Sequence, residues 1–300
     1  MQHVDTQPGN KQRDDGEGHD GVDGIAFTGS VGGGQAVAQT CAKTFKRALI
    51  EASGNDPFLV MPSADMSTAT QAAVFASYAN CGQVCTSAER FFVHDEVYDQ
   101  FVDGVTRLTA KLRIGNGLDK VDMGPMVSQR ERERYEAVLS RALDQGAKVV
   151  HGGGRPDGFN RGYFCDATIL TGCTPDMDIM NNESFGPVMP ISRVGSFDEA
   201  LELANNSKYG LGSVVFTNDL SETMRAMNEL EAGMTWINAA ALLDNDALPF
   251  GGRKMSGTGR QMGLEGLDQF RHTKFTIIDH ENKPADFWWF PYQDAEAYPG

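Results

Sequence analysis

The sequence is short of positive charge: 26 lysines and arginines stand against 41 aspartates and glutamates, a formal net charge of -15. Nucleic acid and anionic membranes are polyanions that need a basic face, so this balance argues against both as partners. Long apolar runs are also missing. No stretch approaches the roughly 18 residues that cross a bilayer, and the opening "MQHVDTQPGNKQRDDGEGHDG" lacks the apolar core of a signal peptide. Cysteine is scarce. Cys41, Cys81, Cys85, Cys165 and Cys173 are odd in number and too sparse for a disulfide framework, so reduced thiols and a cytoplasmic location are expected. There is no internal repeat and no low-complexity block.

What is present suits an α/β protein. A chain of 300 residues, 40% hydrophobic and 22% charged, can bury a large core and divide into two lobes. The first 24 residues carry six acids and little apolar periodicity, which predicts a solvated lead-in over 1–24. From Ile25, "GIAFTGS" reads as a strand, "GGGQAVAQTCAKTF" as a helix, and "KRALIEAS" and "FLVMPSAD" as two more strands. Asp65 or Ser67 then caps a helix over "MSTATQAAVFASYANCG", ending at Gly82. Further on, strand patterns ("RFFVHD", "AKVVHGG", "YFCDATIL", "VMPISRV", "SVVFTN", "MTWINA") alternate with helical ones, which predicts a largely parallel sheet. "LPFGGRKMSGTGRQMG" is too long and too rich in glycine for a turn, so it is a flexible link or a loop shaped around something. An apolar strand, "KFTIIDH", and an aromatic tail, "DFWWFPYQDAEAYPG", close the chain.

Four stretches could carry chemistry. In "NCGQVCTSAER" a zinc site is weak, because neither a Cys-x-x-Cys nor a His pair stands near Cys81 or Cys85. A free cysteine is usually a small buried hydrophobe. Cys85, however, falls at the junction of a helix end and a strand start, where backbone N–H groups can serve an oxyanion and stabilise a thiolate. Cys81 fits packing better. In "LIEASG", Glu51 ends an apolar strand, which suits a general base, although an exposed strand terminus explains a lone glutamate equally well. In "NNESFGPVMP", Glu183 and Phe185 could hold a ribose hydroxyl and a flat ring. "FTGSVGGG" departs from the G-x-G-x-x-G dinucleotide fingerprint and is weak alone.

Taken in series, "IAFTGS", "IEASGNDPFLV", "NCGQVCTSAERFFV", "GPMVS", "NNESFGPVMPI", "ALELANNSKYGLGSVVFTND", "GMTWIN" and "LPFGGRKMSGTGRQMG" resemble the aldehyde dehydrogenase superfamily from about Asp23 to about Ile278. The resemblance implies a parallel-sheet catalytic domain over 58–250 and a partial Rossmann-like cofactor domain over 25–57. Over 251–300 it implies a return to that cofactor domain, ending in an oligomerisation strand and tail. It implies oxidation of a small-molecule aldehyde to a carboxylic acid with NAD or NADP. Cys85 corresponds to the nucleophile, whose thiohemiacetal becomes a thioester. Glu51 corresponds to the base that activates water, and the N–H of Cys85 to one oxyanion donor. Gly29 and Ser30 correspond to the pyrophosphate turn, and Gly54 to the strand end beneath the nicotinamide. Glu183 corresponds to the ribose-binding acid with Phe185 beside it, and Asn238 to the substrate mouth. No metal is implied. The partners implied are the aldehyde and a second copy of the chain, in a homo-oligomer of two or four.

The departures from the family pattern are specific. Family members are far longer, and the segments bearing the side-chain Asn of the oxyanion hole and the Lys of the adenosine ribose have no counterpart before Ile25. In the E-L-G-G-K pattern this chain has Glu51, Ala52, Ser53, Gly54 and Asn55, so Ser53 replaces a glycine. In the phosphate turn Val31 stands where Thr is frequent and Gly33 where an apolar side chain packs on adenine. Two other functions compete with the dehydrogenase: a non-catalytic remnant kept as an interaction subunit, and a cofactor-independent thiol esterase acting through Cys85.

Overall fold

The strand patterns pair into two sheets. In the computed structural model, which describes residues 18–242 and 245–280, the chain forms two compact units, Met1–Phe270 and Arg271–Gly300. Of the lead-in expected over 1–24, residues 1–17 lie outside the described residues, as does the aromatic tail from 281 onward.

The small sheet in the first unit has β1 (Gly24–Thr28) parallel to β2 (Arg47–Glu51), joined by helix α1 (Val31–Ala42). Its third strand, β10 (Gly257–Thr258), runs antiparallel to β2. The glycine-rich loop is therefore shaped around the end of β2. A side chain at Gly257, whose φ is 131°, would meet the Ile50 carbonyl oxygen at 2.0 Å.

The large sheet has seven strands: β3 (Asp56–Val60), β4 (Ala88–His94), β5 (Lys148–His151), β6 (Thr168–Thr171), β7 (Val188–Val194), β8 (Val214–Phe216) and β9 (Trp236–Ile237). Their spatial order is β5-β6-β7-β4-β3-β8-β9. All neighbours are parallel except the edge strand β5. Central β3 and β4 each carry an apolar run, Phe58–Val60 and Phe91–Val93, because both faces of a parallel sheet are buried. Phe58 stacks on Phe91 at 4.9 Å and on Phe216 at 5.3 Å, tying β4, β3 and β8 together.

The helices begin where the sequence supplies a cap. Ser30 (α1), Asp65 (α2, Met66–Tyr78), Ser128 (α4, Gln129–Asp144), Ser196 (α5, Phe197–Asn205) and Asp219 (α6, Leu220–Glu229) each accept from the N–H three residues on. Helices α3 (Tyr98–Thr109) and α7 (Gly263–Asp268) lack such a bond. Helix α2 stops at Tyr78, four residues before the expected Gly82. Asn80 and Cys81 turn left-handed, with φ of 50° and 59°. The turn brings Gly82 so close to the next functional loop that a Cβ there would lie 2.2 Å from the Gly186 oxygen. Tertiary contact thus overrides a helical pattern.

In the second unit, residues 271–280 form no strand within the single chain among the described residues. Phe275, Ile277 and Ile278 are 81–82% exposed.

Candidate active site

The chain crosses from the small sheet to the large one over residues 52–55, between the end of β2 and the start of β3, and the candidate residues gather at this crossing. Glu51 is the last residue of β2, paired with Thr28 on one side and Gly257 on the other. It is not an exposed strand terminus: only 5% of its surface is accessible. Its buried Oε1 has no hydrogen-bond partner among the described residues, an arrangement that suits an atom waiting for water or substrate.

Cys85 lies in the turn between α2 and β4, half-buried. Its thiol faces Glu51. Burial pushes the thiol well above its ordinary value, and the negative charge of Glu51, a hydrogen bond to that carboxylate and the charge of Asp56 push it further. The Thr86 N–H, directed at the sulfur, opposes them. The backbone N–H of Cys85 donates to no group among the described residues, which leaves it available to an oxyanion. Cys81 faces elsewhere. It is buried, its sulfur lies 3.7 Å from that of Met126, and burial raises its thiol to about 12, as suits a packing residue.

Gly54 is obligatory in this arrangement, since a Cβ on it would sit 2.1 Å from the Cys85 carbonyl oxygen. Its N–H donates to Glu183 Oε1 at 3.2 Å. The Ser53 side chain bonds the same carboxylate, so the serine that departs from the family pattern is engaged with the acid the pattern assigns to ribose. Burial raises the Glu183 carboxyl; Arg134 and these hydrogen bonds hold it down. Phe185, two residues on, adopts a left-handed φ of 47°.

Gly29 and Ser30 stand one strand away. The Gly29 N–H donates to the Glu51 backbone oxygen at 3.1 Å, joining the glycine turn to β2. Ser30 Oγ accepts from Gly33 N at 3.2 Å, capping α1. The Val31 and Gly32 N–H groups at the start of this helix have no hydrogen-bond partner among the described residues, and a Cβ on Gly32 would meet no atom within 4 Å. Open space at a helix N-terminus fits a pyrophosphate. Asn238 is occupied otherwise: its amide donates to the Thr217 oxygen at 2.7 Å and accepts from Thr217 N at 3.0 Å.

Several residues of the site escaped sequence reading. Buried Asp56 is raised to about 7 by its burial, against the pull of the Gly212 N–H and the Arg90 charge. Burial and the charge of Glu183 raise the Glu89 carboxyl, and hydrogen bonds from Ser184 N, Asn55 Nδ2 and Phe185 N hold it down. Arg90 donates to the oxygens of Asn55 (2.7 Å), Leu203 (3.1 Å) and Ala204 (3.0 Å). Ser256 Oγ donates to the Ser53 oxygen at 2.7 Å and accepts from Gly210 N at 3.0 Å. The available signal was the Glu-Arg pair opening the apolar run "ERFFV": charges in a strand buried on both faces must be partnered.

The aldehyde dehydrogenase family model matches residues 7–276. The chain belongs to the aldehyde dehydrogenase family. It is 38% identical over 269 residues to a succinate-semialdehyde dehydrogenase [NADP(+)] of Deinococcus radiodurans, covering 89% of this chain and 56% of that protein. It is 37% identical to a betaine aldehyde dehydrogenase of Mesorhizobium japonicum, covering 87% of this chain and 54% of the other. Among solved structures it resembles a betaine aldehyde dehydrogenase from Staphylococcus aureus in complex with NAD+. That match has a TM-score of 0.81 at 34% identity, over 85% of this chain and 51% of that one. The chain spans about half the length of the curated relatives it matches.

Proposed function

We propose that this chain carries the thiol chemistry of an aldehyde dehydrogenase, oxidising an aldehyde to a carboxylic acid with NAD or NADP through Cys85 and Glu51. The observation that carries this reading is the Cys85 thiol directed at the buried Glu51 carboxylate, with an unpartnered N–H on Cys85 and an unpartnered oxygen on Glu51 beside it. The Cys85 thiol loses its proton to solvent, and the thiolate attacks the aldehyde carbon. The resulting thiohemiacetal oxyanion lies against the Cys85 N–H. A bound dinucleotide supplies the hydride acceptor, and a thioester on Cys85 is what remains. Glu51 then removes a proton from the water that attacks the thioester. The C–S bond breaks, the acid leaves and the sulfur departs as thiolate.

The residues that fit the dinucleotide are Gly29, Ser30 and the open N-terminus of α1 for the pyrophosphate, Gly54 beneath the nicotinamide, and Glu183 with Phe185 for its ribose. Asn238, held on Thr217, shapes the substrate mouth through the backbone after β9. The relatives are named for different aldehydes, and the acids without arginine in "WINAAALLDNDALPFGG" disfavour a dicarboxylic semialdehyde. Cytoplasmic location fits the five cysteines, all free. Assembly as a homo-oligomer fits the exposed apolar segment 275–278.

The test is calorimetric titration with NAD+ and NADP+, followed by reduced-cofactor production from a panel of aldehydes, with Cys85→Ala alongside. Binding with turnover that disappears in Cys85→Ala is the expected result. Absence of both binding and turnover in the wild-type chain sinks the reading.

A further inference from the structure

Glu89, at the start of β4, is 2% exposed. Charge at such depth persists only where donors surround it. Three donors do so, and two are successive amides of the loop that bears Glu183. Glu89 Oε2 accepts from Ser184 N at 2.7 Å and from Asn55 Nδ2 at 3.0 Å, and its Oε1 accepts from Phe185 N at 2.7 Å. Asn55 Nδ2 also donates to the Asn182 oxygen at 3.3 Å. One carboxylate thus grips the two peptide units that follow Glu183, including the one at Phe185, whose left-handed φ of 47° is unfavourable for an aromatic residue.

Other groups hold the same loop from outside. Arg134 donates to the Glu183 and Ser184 oxygens at 3.4 and 3.1 Å, Lys208 donates to Asn182 Oδ1 at 2.7 Å, and Tyr209 receives the Glu183 N–H. None of them engages the Ser184 or Phe185 amides. Those amides set the direction in which the chain leaves Glu183, and therefore where its carboxylate lands. It lands on Gly54 N, 129 residues away and directly beside Cys85.

We infer that Glu89 is a positioning residue: by gripping the Ser184 and Phe185 amides it aims the Glu183 carboxylate at the Ser53–Gly54 turn, where the dinucleotide ribose would meet it. The dinucleotide half of this statement rests on the function proposed above. The aiming of Glu183 stands without it.

The test is amide hydrogen exchange on the free chain, comparing wild type, Glu89→Gln, Glu183→Ala and the double variant. Glutamine keeps the size of Glu89 but turns donor hydrogens toward a pocket lined with donors. Glu89→Gln is expected to speed exchange at Ser184, Phe185 and the distant Gly54 by tenfold or more, with β3 and α2 unchanged. In the Glu183→Ala background Glu89→Gln is expected to add nothing further at Gly54, a coupling that general loosening would not produce. Unchanged exchange at Gly54 in Glu89→Gln, or an equal effect with and without Glu183, overturns the inference. If Glu89→Gln does not fold, Asn55→Ser removes one of the three donors and is expected to shift the same amides in the same direction; no shift there overturns it as well. Calorimetry on the same proteins separates the two claims. A dissociation constant for NAD+ or NADP+ raised tenfold or more in Glu89→Gln supports the role toward the cofactor, and an unchanged one overturns that role. Failure of the wild type to bind either dinucleotide counts against the proposed function, while Gly54 exchange still decides whether Glu89 aims Glu183.

Discussion

At the scale of single residues, the site is a concentration of carboxylates around one thiol. Glu51, Asp56, Glu89 and Glu183 are offset by two guanidinium groups, Arg90 and Arg134. The thiol is therefore held protonated. Replacing Glu51 by Gln removes both the charge and the hydrogen bond that favour the thiol. Since one pKa unit is tenfold in thiolate below the pKa, alkylation of Cys85 by iodoacetamide at pH 7 to 8 is expected to rise about three- to tenfold in Glu51→Gln, read by mass spectrometry. A slower reaction would mean that Glu51 does not charge the surroundings of the sulfur. Asp56 links the site to stability. Its folded value of about 7 lies above its ordinary 3.8, so the folded state keeps a proton that the unfolded chain releases first. Its contribution is complete below about pH 4 and is lost as pH rises through 7, by at most about 4 kcal/mol at roughly 1.4 kcal/mol per unit. Urea unfolding between pH 4 and 8 is expected to show falling stability with rising pH, and Asp56→Asn to flatten that slope.

At the scale of elements, the strands bring the residues together and the caps fix where helices begin. Helix α2 begins at Asp65, whose side chain accepts from Thr68 N at 2.7 Å, and it leads into the Cys85 turn. Asp65→Ala is expected to cost about 1 kcal/mol. That corresponds to a melting temperature lower by about 2–4 °C in a domain of this size, measured by calorimetry. Because Asp65 is a surface cap far along the helix from Cys85, thiol reactivity is expected to stay within twofold of wild type. Strand positions were legible because apolar runs of five to seven residues bounded by glycine or proline have few other uses. The end of α2 was not. "YANCG" has the composition to continue a helix, and the close approach of Gly82 to Gly186, from more than a hundred residues away, decides otherwise.

At the scale of the whole molecule, the chain has two sheets with the candidate residues at the crossing between them, and a second unit beginning at Arg271. No helix among the described residues is long and apolar enough to cross a membrane. The exposed Phe275, Ile277 and Ile278 are what an edge-pairing strand would present to another copy of the chain. Light scattering is expected to give the wild-type chain the mass of a dimer or tetramer, and Ile277→Asp a lower mass with Cys85 reactivity retained. Equal masses for the two proteins would remove this segment from the assembly.

Family and fold could be read from the sequence alone, because eight short motifs in fixed order reflect local demands: a glycine where backbones touch, an apolar run where a strand is buried, a cap where a helix starts. The choice of Cys85 over Cys81 as the candidate thiol rests on the resemblance of its motif to the family's. Only the tertiary structure could decide the surroundings of these groups. It buried Glu51 by laying β10 against β2, set Asn238 on Thr217, and engaged Ser53 with Glu183. It also placed Asp56, Glu89 and Arg90 behind the site. The physical reason is the range of the forces involved. Capping, turn preference and strand patterning act over a few neighbours along the chain and leave a periodic trace. Desolvation and the pairing of buried charges depend on groups brought together from 30 to more than 100 residues away, and no local pattern records them.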